Sequence, residues 1–458
     1  MRLPEAGARV DAVRLRAKIL SAGLHAARGR TDGSSMPEGQ RHRRIGFVAT
    51  RLRGTDGVTL EAAKWIQVLE AEGHRCFFLS GEGDRDGSSS VLVPEMHFQY
   101  PEVQEIYLTA FTSRVRPTAT TERILELAQH LRRAIAEFVK AFGIEILIVE
   151  NALAIPLNLP LGVALTEYIA ETGIPVIGHH HDMFWERKRF LVNCVWDYLN
   201  MAFPPHLPSI QHVVINSSAS NQLSLRTGVS PVIVPNVMDF ENPPEPYDGY
   251  AEPIRQDLGV RPGEYLVLQP TRVVQRKGIE HAIDLVDRLP LEACLVVTHA
   301  GDDEGHAYQE HLRRLAGRMG ARVNFEAEII RSERGETSDG RRVYSLADAY
   351  RAADLVTYPS TIEGFGNAFL EAVYHRRPLV VNNYSIFATD IRPKGFRVIE
   401  FDGYITEETV WWTQRLLQDA ALAGEMTEHN YQLARRHYSY AVLRRHLREL
   451  LANVFGEE

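Results

Sequence analysis

The sequence predicts an α/β protein made of two similar units, each built on a mostly parallel sheet. Three observations carry that reading. From Arg44 onward, short apolar runs alternate with helical periodicity, the pattern of a parallel sheet covered by helices on both faces. A proline-rich stretch, Asn242-Pro-Pro-Glu-Pro-Tyr-Asp-Gly249, interrupts the alternation. The same alternation then restarts. The chain of 458 residues has room for about three domains, or two large ones, at roughly 150 residues each. The expected division is a basic flexible extension over 1–43, an amino-terminal unit over 44–241, a carboxyl-terminal unit over 242–440, and a final helix over 441–458 that can pack back on the amino-terminal unit.

In the extension, Arg2, Arg9, Arg14, Arg16, Lys18, Arg28 and Arg30 supply the charge, and Gly33-Ser-Ser-Met-Pro37 reads as a linker. No long apolar core precedes a small-residue cleavage site, so it does not read as a secretory signal. A loose basic helix or tail is expected, with a membrane-surface or oligomer contact as the lesser alternative. In the first unit, strands are expected over 45–49, 76–79, 144–149, 174–178 and 213–215. Helices are expected from Leu60 to a stop at Gly73, and over 122–142, closed by Gly143. In the second, strands are expected over 265–269, 293–298, 323–327, 355–358 and 379–381, with a helix over 278–289. Residues 331–342, polar and holding Gly335 and Gly340, read as a mobile loop.

Composition narrows the function. The formal charge of −8 argues against nucleic acid as the main partner, because phosphate backbones are met by a basic face. Three scattered cysteines, Cys76, Cys194 and Cys294, form neither a zinc spacing nor a disulfide framework, which suits a reducing, cytoplasmic setting. No apolar run reaches the roughly 18–20 residues of a membrane span.

Two segments concentrate the chemistry. Pro359-Ser-Thr-Ile-Glu-Gly-Phe-Gly-Asn-Ala-Phe-Leu-Glu371 follows an expected strand and opens a helix. Gly364 and Gly366 let the backbone approach a ligand, Phe365 and Asn367 complete the loop, and the helix start offers N–H groups to an anion. Glu363 in the loop and Glu371 about two turns into the helix can accept hydrogen bonds from separate hydroxyl groups. A sugar nucleotide carries such groups on its sugar and its ribose. The structural alternative is a capped helix with two solvated acids. The second segment, Gln269-Pro-Thr-Arg-Val-Val-Gln-Arg-Lys-Gly278, again joins a strand to a helix. Arg272 and Lys277 there supply fixed positive charge for a diphosphate leaving group, without a metal. Arg276 reads as merely solvated.

Together these segments resemble the retaining glycosyltransferases of family 4. Glu-Gly-Phe-Gly-x4-Glu is similar to their E-x7-E motif, and Thr-Arg-x4-Lys-Gly to their phosphate-binding pair. Val234-Pro-Asn-Val-Met-Asp239 is similar to their Pro-Asn-Gly-Val-Asp segment, with Val237 and Met238 replacing Gly-Val. The resemblance covers about residues 44–455. It implies the GT-B fold: two Rossmann-like parallel-sheet domains facing across a cleft. It also implies that Glu371 holds the ribose, Glu363 the donor-sugar hydroxyls, and Arg272 and Lys277 the diphosphate.

The amino-terminal unit supplies the rest. Arg51-Leu-Arg-Gly-Thr-Asp-Gly57 joins the first strand to a helix. In the family the matching loop touches donor phosphate and acceptor, so Gly57 is expected at the donor and Arg51, Arg53 and Asp56 at an acidic acceptor. A tight structural turn is the alternative. In Ile174-Pro-Val-Ile-Gly-His-His-His-Asp182, three adjacent histidines on a strand point to alternating faces, so they do not converge on one metal ion. The family carries a histidine at this strand end beside the reacting sugar carbon. His181 matches it best, with His180 one residue away on the opposite face. Glu150, Asn151, Asp182 and Arg187 are further acceptor candidates, with loop capping and a solvated charge run as the alternatives.

The expected activity is transfer of a hexose, from GDP-mannose or UDP-glucose, to a small anionic hydroxyl acceptor with retention of configuration. No cofactor and no metal are expected, and the partners are the nucleotide sugar and the small-molecule acceptor. The loop at 51–57 and the histidine segment are similar to enzymes that make small glycoside solutes of the glucosylglycerate and mannosylglucosylglycerate type. The rivals are a nucleotide-sugar epimerase or a phosphorylase on a related fold, or a non-catalytic nucleotide-sugar binding protein.

Overall fold

The computed structural model describes residues 41–456, apart from 55, 300–304 and 327. The basic extension, up to position 40, therefore lies outside the described residues. The chain divides into two compact units. One runs to Pro235 and takes in the chain again from Leu443; the other is Asn236–Val442. The division falls ahead of the proline-rich stretch, which belongs to the second unit. Residues preceding the prolines are already anchored there. The Met238 N–H donates to the Tyr438 carbonyl at 2.9 Å, and Phe240 packs edge-on against Tyr374 and Tyr431.

The first unit contains seven parallel strands: β1 (Arg44–Ala49), β2 (Arg75–Ser80), β3 (Ser90–Leu92), β4 (Ile146–Glu150), β5 (Val176–His180), β6 (Ile210–Val214) and β7 (Val232–Ile233). Their order is β3-β2-β1-β4-β5-β6-β7. The central strands are buried on both faces, which is why they read as continuous apolar runs. The order reverses between β1 and β4. At such a switch point the loops leave in opposite directions and open a crevice at the strands' carboxyl ends.

The helix Thr118–Phe142 packs one apolar face on this sheet and ends at Gly143, whose φ of 58° is the left-handed cap glycine tolerates. The helix Leu159–Thr172 was not legible by periodicity. It is apolar on nearly every side and almost wholly buried, so it has no polar face to reveal its period. Its Pro160 stands in the first turn, where a missing N–H costs nothing. The closing helix, Tyr440–Phe455, belongs to the first unit from Leu443 on. Arg444 is held by Glu72 at 3.1 Å, and the Phe455 ring lies 3.8 Å from the Arg43 guanidinium.

The second unit follows the same plan. Its strands are β8 (Tyr265–Gln269), β9 (Ala293–Val297), β10 (Arg322–Phe325), the short β11 (Ile330–Arg331), β12 (Gly335–Glu336) and β13 (Arg342–Ser345), then β14 (Leu355–Tyr358), β15 (Leu379–Asn382) and β16 (Ile399–Phe401). The main sheet is parallel, ordered β10-β9-β8-β14-β15-β16, and reverses between β8 and β14. Residues 331–342 are not the mobile loop expected from their polarity. They form part of a small sheet, β11-β13-β12, pinned by Arg334, which bridges Asp348 at 2.6 Å and also meets Asp248. Arg334 is paired outside its own segment, while Arg341 pairs with Asp339 inside it. Among the described residues, no helix is long and apolar enough to cross a membrane, and the three cysteines are free thiols.

Gly162 tests the packing of the first unit. A Cβ there would stand 2.1 Å from the ring of the buried Phe203. Alanine normally gains about 1 kcal/mol over glycine inside a helix. Overpacking against a fixed ring costs about 1–3 kcal/mol and outweighs it. Gly162→Ala is expected to lower the urea midpoint; a raised midpoint would show the contact to be soft.

Candidate active site

The two motif segments of the second unit leave the ends of β8 and β14, which are hydrogen-bonded neighbours at the switch point. Gly278 lets them meet. Its φ is +58°, and a Cβ there would lie 2.4 Å from the carbonyl oxygen of Pro359. The Thr361 N–H donates to the Arg276 carbonyl at 2.9 Å and closes the junction. Beside it, the Lys277 ammonium donates to Glu363 Oε1, and Arg276 Nη1 lies 3.3 Å from Oε2. Arg276 is thus not merely solvated as its sequence context suggests. It also donates to the Ile362 carbonyl and forms part of the junction.

The side chains of Lys277 and Glu363 are only 12% and 10% exposed. Burial pushes the Lys277 pKa down, with Glu363 opposing it. Burial pushes Glu363 up, but Lys277 and Arg276 outweigh it and hold the carboxyl below its ordinary value. Tyr358 is buried at the end of β14, where burial and then the charge of Glu363 push its pKa up. Arg272 is exposed, and its charge is felt at both Lys277 and His299. His299 follows β9, with Nδ1 2.9 Å from the Thr298 hydroxyl. It was missed because it carries no motif; its one signal is its place just past a strand's carboxyl end.

Glu371 lies on the helix Asn367–Tyr374 and accepts from the Tyr350 hydroxyl at 2.8 Å. Gly366, at φ +131°, is required because a Cβ would come within 2.5 Å of the Tyr384 hydroxyl. Gly364 remains half-buried in the loop. Asn367 accepts from Asn236 at 2.7 Å. Phe365, expected among the donor-binding residues of the loop, has its side chain turned into the core. The ring is buried against Tyr438, and its carbonyl accepts from Tyr384 at 2.8 Å.

In the first unit, two expected acceptor contacts are corrected. Asp56 is the N-cap of the helix Gly57–Ala71, whose first residue, Gly57, is exposed. The Asp56 carboxylate accepts from the N–H groups of Val58 and Thr59, the Thr59 hydroxyl and Arg51, so it is already satisfied. Glu150 ends β4 with its side chain fully buried. Nδ1 of His179 lies 3.2 and 3.0 Å from its two oxygens, and Nε2 of His181 lies 3.3 Å from Oε2. No face of Glu150 remains for an acceptor. Arg53 is exposed beside Glu82, and Asp182 pairs with Arg187 at 2.6 Å. Asn151, at φ +58°, turns Oδ1 to the N–H of His181 at 3.1 Å.

The histidines divide as strand alternation demands. His180 faces His212 at 2.8 Å, and His212 reaches the Pro205 carbonyl at 3.0 Å; burial keeps both pKa values low. His179 and His181 share the other face with Glu150, on the neighbouring strand. The ligand atoms of these three lie within 4.8 Å of one another, a spacing that a metal ion could also use. The alternation argument excludes three adjacent histidines on one ion, but not this pair with Glu150. Burial works to raise the Glu150 pKa; the two imidazoles outweigh it and hold it at about 2. His181 is raised, because Glu150 outweighs burial, while burial keeps His179 low.

Two doubly wound parallel sheets, each with polar groups at its reversal point, define an α/β fold of two Rossmann-like units. Residues 218–451 match the family described as Family 4 Glycosyltransferase in conflict systems. The mannosylglucosylglycerate synthase of Thermotoga maritima is 31% identical over 419 residues, spanning 84% of this chain and 94% of that protein. The synthase of the same name from Petrotoga mobilis is 30% identical over 377 residues, spanning 78% and 86%. Among solved structures, Anabaena Alr3699/HepE in complex with UDP and glucose superimposes with a TM-score of 0.64 at 14% identity, covering 90% of this chain and 100% of that one. The sucrose-phosphate synthase of Thermosynechococcus elongatus gives 0.63 at 14% identity, covering 91% and 100%. The fold is GT-B. The chain belongs to glycosyltransferase family 4.

The buried carboxylate predicts a pH dependence. Glu150 titrates lower in the folded chain than the 4.5 of an ordinary glutamate, so its stabilisation is complete above that pH and is lost as pH falls toward about 2. Urea unfolding of Glu150→Gln between pH 7 and pH 2 should therefore converge on the wild-type curve at the acid end. Parallel curves would contradict the assignment.

Proposed function

We propose that this glycosyltransferase moves a hexose from a nucleotide diphosphate sugar to a small, anionic hydroxyl acceptor, with retention of configuration and without a metal. The Lys277–Glu363 pair at the β8/β14 junction is the observation that carries the reading. Paired with each other, the two groups are kept charged in a largely buried place. A donor that brings a diphosphate to Lys277 and sugar hydroxyls to Glu363 substitutes for both partners at once. Arg272 adds exposed positive charge beside them, and Glu371 receives the ribose.

As the anomeric bond breaks, negative charge grows on the diphosphate. Lys277, Arg272 and the N–H groups at the start of the helix Asn367–Tyr374 stabilise it electrostatically. The leaving phosphate oxygen takes the acceptor proton on the face from which the acceptor attacks, so no separate protein base is needed. His181 contacts the donor sugar near the reacting carbon. Arg51 and Arg53 meet the acceptor's negative charge.

The relatives' names favour a mannosyl donor, GDP-mannose, over UDP-glucose, and glucosylglycerate as acceptor. Melting-temperature shifts with GDP, UDP, GDP-mannose and UDP-glucose identify the donor, because a ligand that binds the folded state raises the melting temperature. Incubation of GDP-mannose with glucosylglycerate in the presence of EDTA is expected to give one glycosidic product with the donor's anomeric configuration. Lys277→Ala is expected to lower kcat by about 10²–10³-fold, the usual cost of losing a preorganised charge stabiliser. Turnover near that of the wild type would reject its role, and activity abolished by EDTA would reject metal independence.

A further inference from the structure

The first unit holds a second set of polar groups whose arrangement calls for a purpose. Glu150, fully buried at the end of β4, faces two histidines of the adjoining strand end at once. We propose that Glu150 is a positioning residue that fixes the proton of His181 on Nε2 and so leaves Nδ1 as the ring atom that meets the donor sugar. The inference rests on the donor contact assigned to His181 above.

An ionised carboxylate only accepts, so each ring nitrogen facing it carries the hydrogen. Nε2 of His181 lies 3.3 Å from Oε2, and Nδ1 of His179 lies 3.0 Å from the same oxygen. His181 is therefore the Nε2–H tautomer and His179 the Nδ1–H tautomer. The remaining nitrogen of His179 agrees: Nε2 is buried with no hydrogen-bond partner, as befits a bare lone pair in an apolar setting. Its ring stacks on Trp65 at 4.1 Å between centroids, which fixes the plane of the first histidine and, through the shared carboxylate, the place of the second.

The backbone of His181 is fixed independently by Asn151 Oδ1 at 3.1 Å. Glu150 also raises the His181 pKa, so the ring is neutral only above that raised value; there, with ring and backbone both held, its Nδ1 presents a lone pair able to accept a hydrogen bond from a sugar hydroxyl. The other tautomer would present an N–H at the same point and reverse the role. Glu150 thus sets which kind of group the donor meets, though it touches neither substrate itself. His180 cannot stand in, because its ring is engaged with His212 on the opposite face.

The test compares the full-length wild type with Glu150→Gln, His181→Ala and the double variant, using GDP-mannose and glucosylglycerate. Gln can donate as well as accept, so it removes the constraint on the tautomer at nearly constant size. Glu150→Gln is expected to lower kcat roughly tenfold to hundredfold, the range known for carboxylates that orient metal-bound histidines, with the acceptor KM unchanged. In the His181→Ala background the same substitution should cost nothing further, since its effect runs through that ring. Glu150→Asp, which keeps the charge, should recover part of the loss and serves if the Gln variant folds poorly.

Imidazole 15N spectra recorded above the raised pKa of His181, with its signals assigned by their loss in His181→Ala, should show the Nε2–H tautomer in the wild type and a mixture in Glu150→Gln. Losses that multiply in the double variant, or an Nδ1–H tautomer in the wild type, overturn the inference. So does a stoichiometric metal ion in the purified protein that disappears in Glu150→Gln. Normal turnover in His181→Ala overturns the donor contact on which the inference rests. A loss there, with normal turnover in Glu150→Gln, overturns the inference alone.

Discussion

Two neighbouring parallel strands whose loops must leave in opposite directions create the place where this protein concentrates its charge. In the second unit these strands are β8 and β14, and their loops come into contact only because residue 278 has no side chain. That contact brings Lys277, from one loop, onto Glu363, from the other. Neither charge would be stable alone at its degree of burial; each makes the other's ionisation affordable. A buried, paired and hydrogen-bonded couple is held in one geometry before any ligand arrives, which is the condition for electrostatic stabilisation of a leaving group.

The first unit repeats the device with different chemistry. Its reversal lies between β1 and β4, and the loop after β1 spends its acid, Asp56, on capping the next helix. One strand further along, Glu150 is paired not with a lysine but with two imidazoles. The second unit thus holds permanent charge and the first holds groups whose role depends on where a proton sits.

How much of this was legible follows from how local each feature is. The strand–loop–helix segments around Lys277 and Glu363 are continuous in sequence, so residue types and spacing sufficed to select them. Arg276 was misjudged because its partners, the Ile362 carbonyl and Glu363, lie on the other loop. Glu150 was misassigned for the same reason: its occupation by His179 and His181 depends on the β4–β5 register, which no local pattern encodes. Strand alternation separated His180 from His181 correctly but could not say which face held a carboxylate. Asp56, followed by glycine and a helical run, carried a legible N-cap signal that the functional reading overrode. Phe365 sits in the motif loop by sequence, but its ring fills the core against Tyr438, a partner 73 positions away that the motif does not reveal.

The claim on which the account turns is that Lys277 is set to receive a diphosphate. Titration calorimetry with GDP and UDP, each beside its bare nucleoside, on wild type and Lys277→Met measures it without any acceptor or turnover. The account predicts that Lys277→Met weakens binding of the preferred diphosphate by about 1.5–3 kcal/mol, the worth of a charge-assisted hydrogen bond, and leaves binding of the nucleoside unchanged. Equal diphosphate affinity in the two proteins would contradict it.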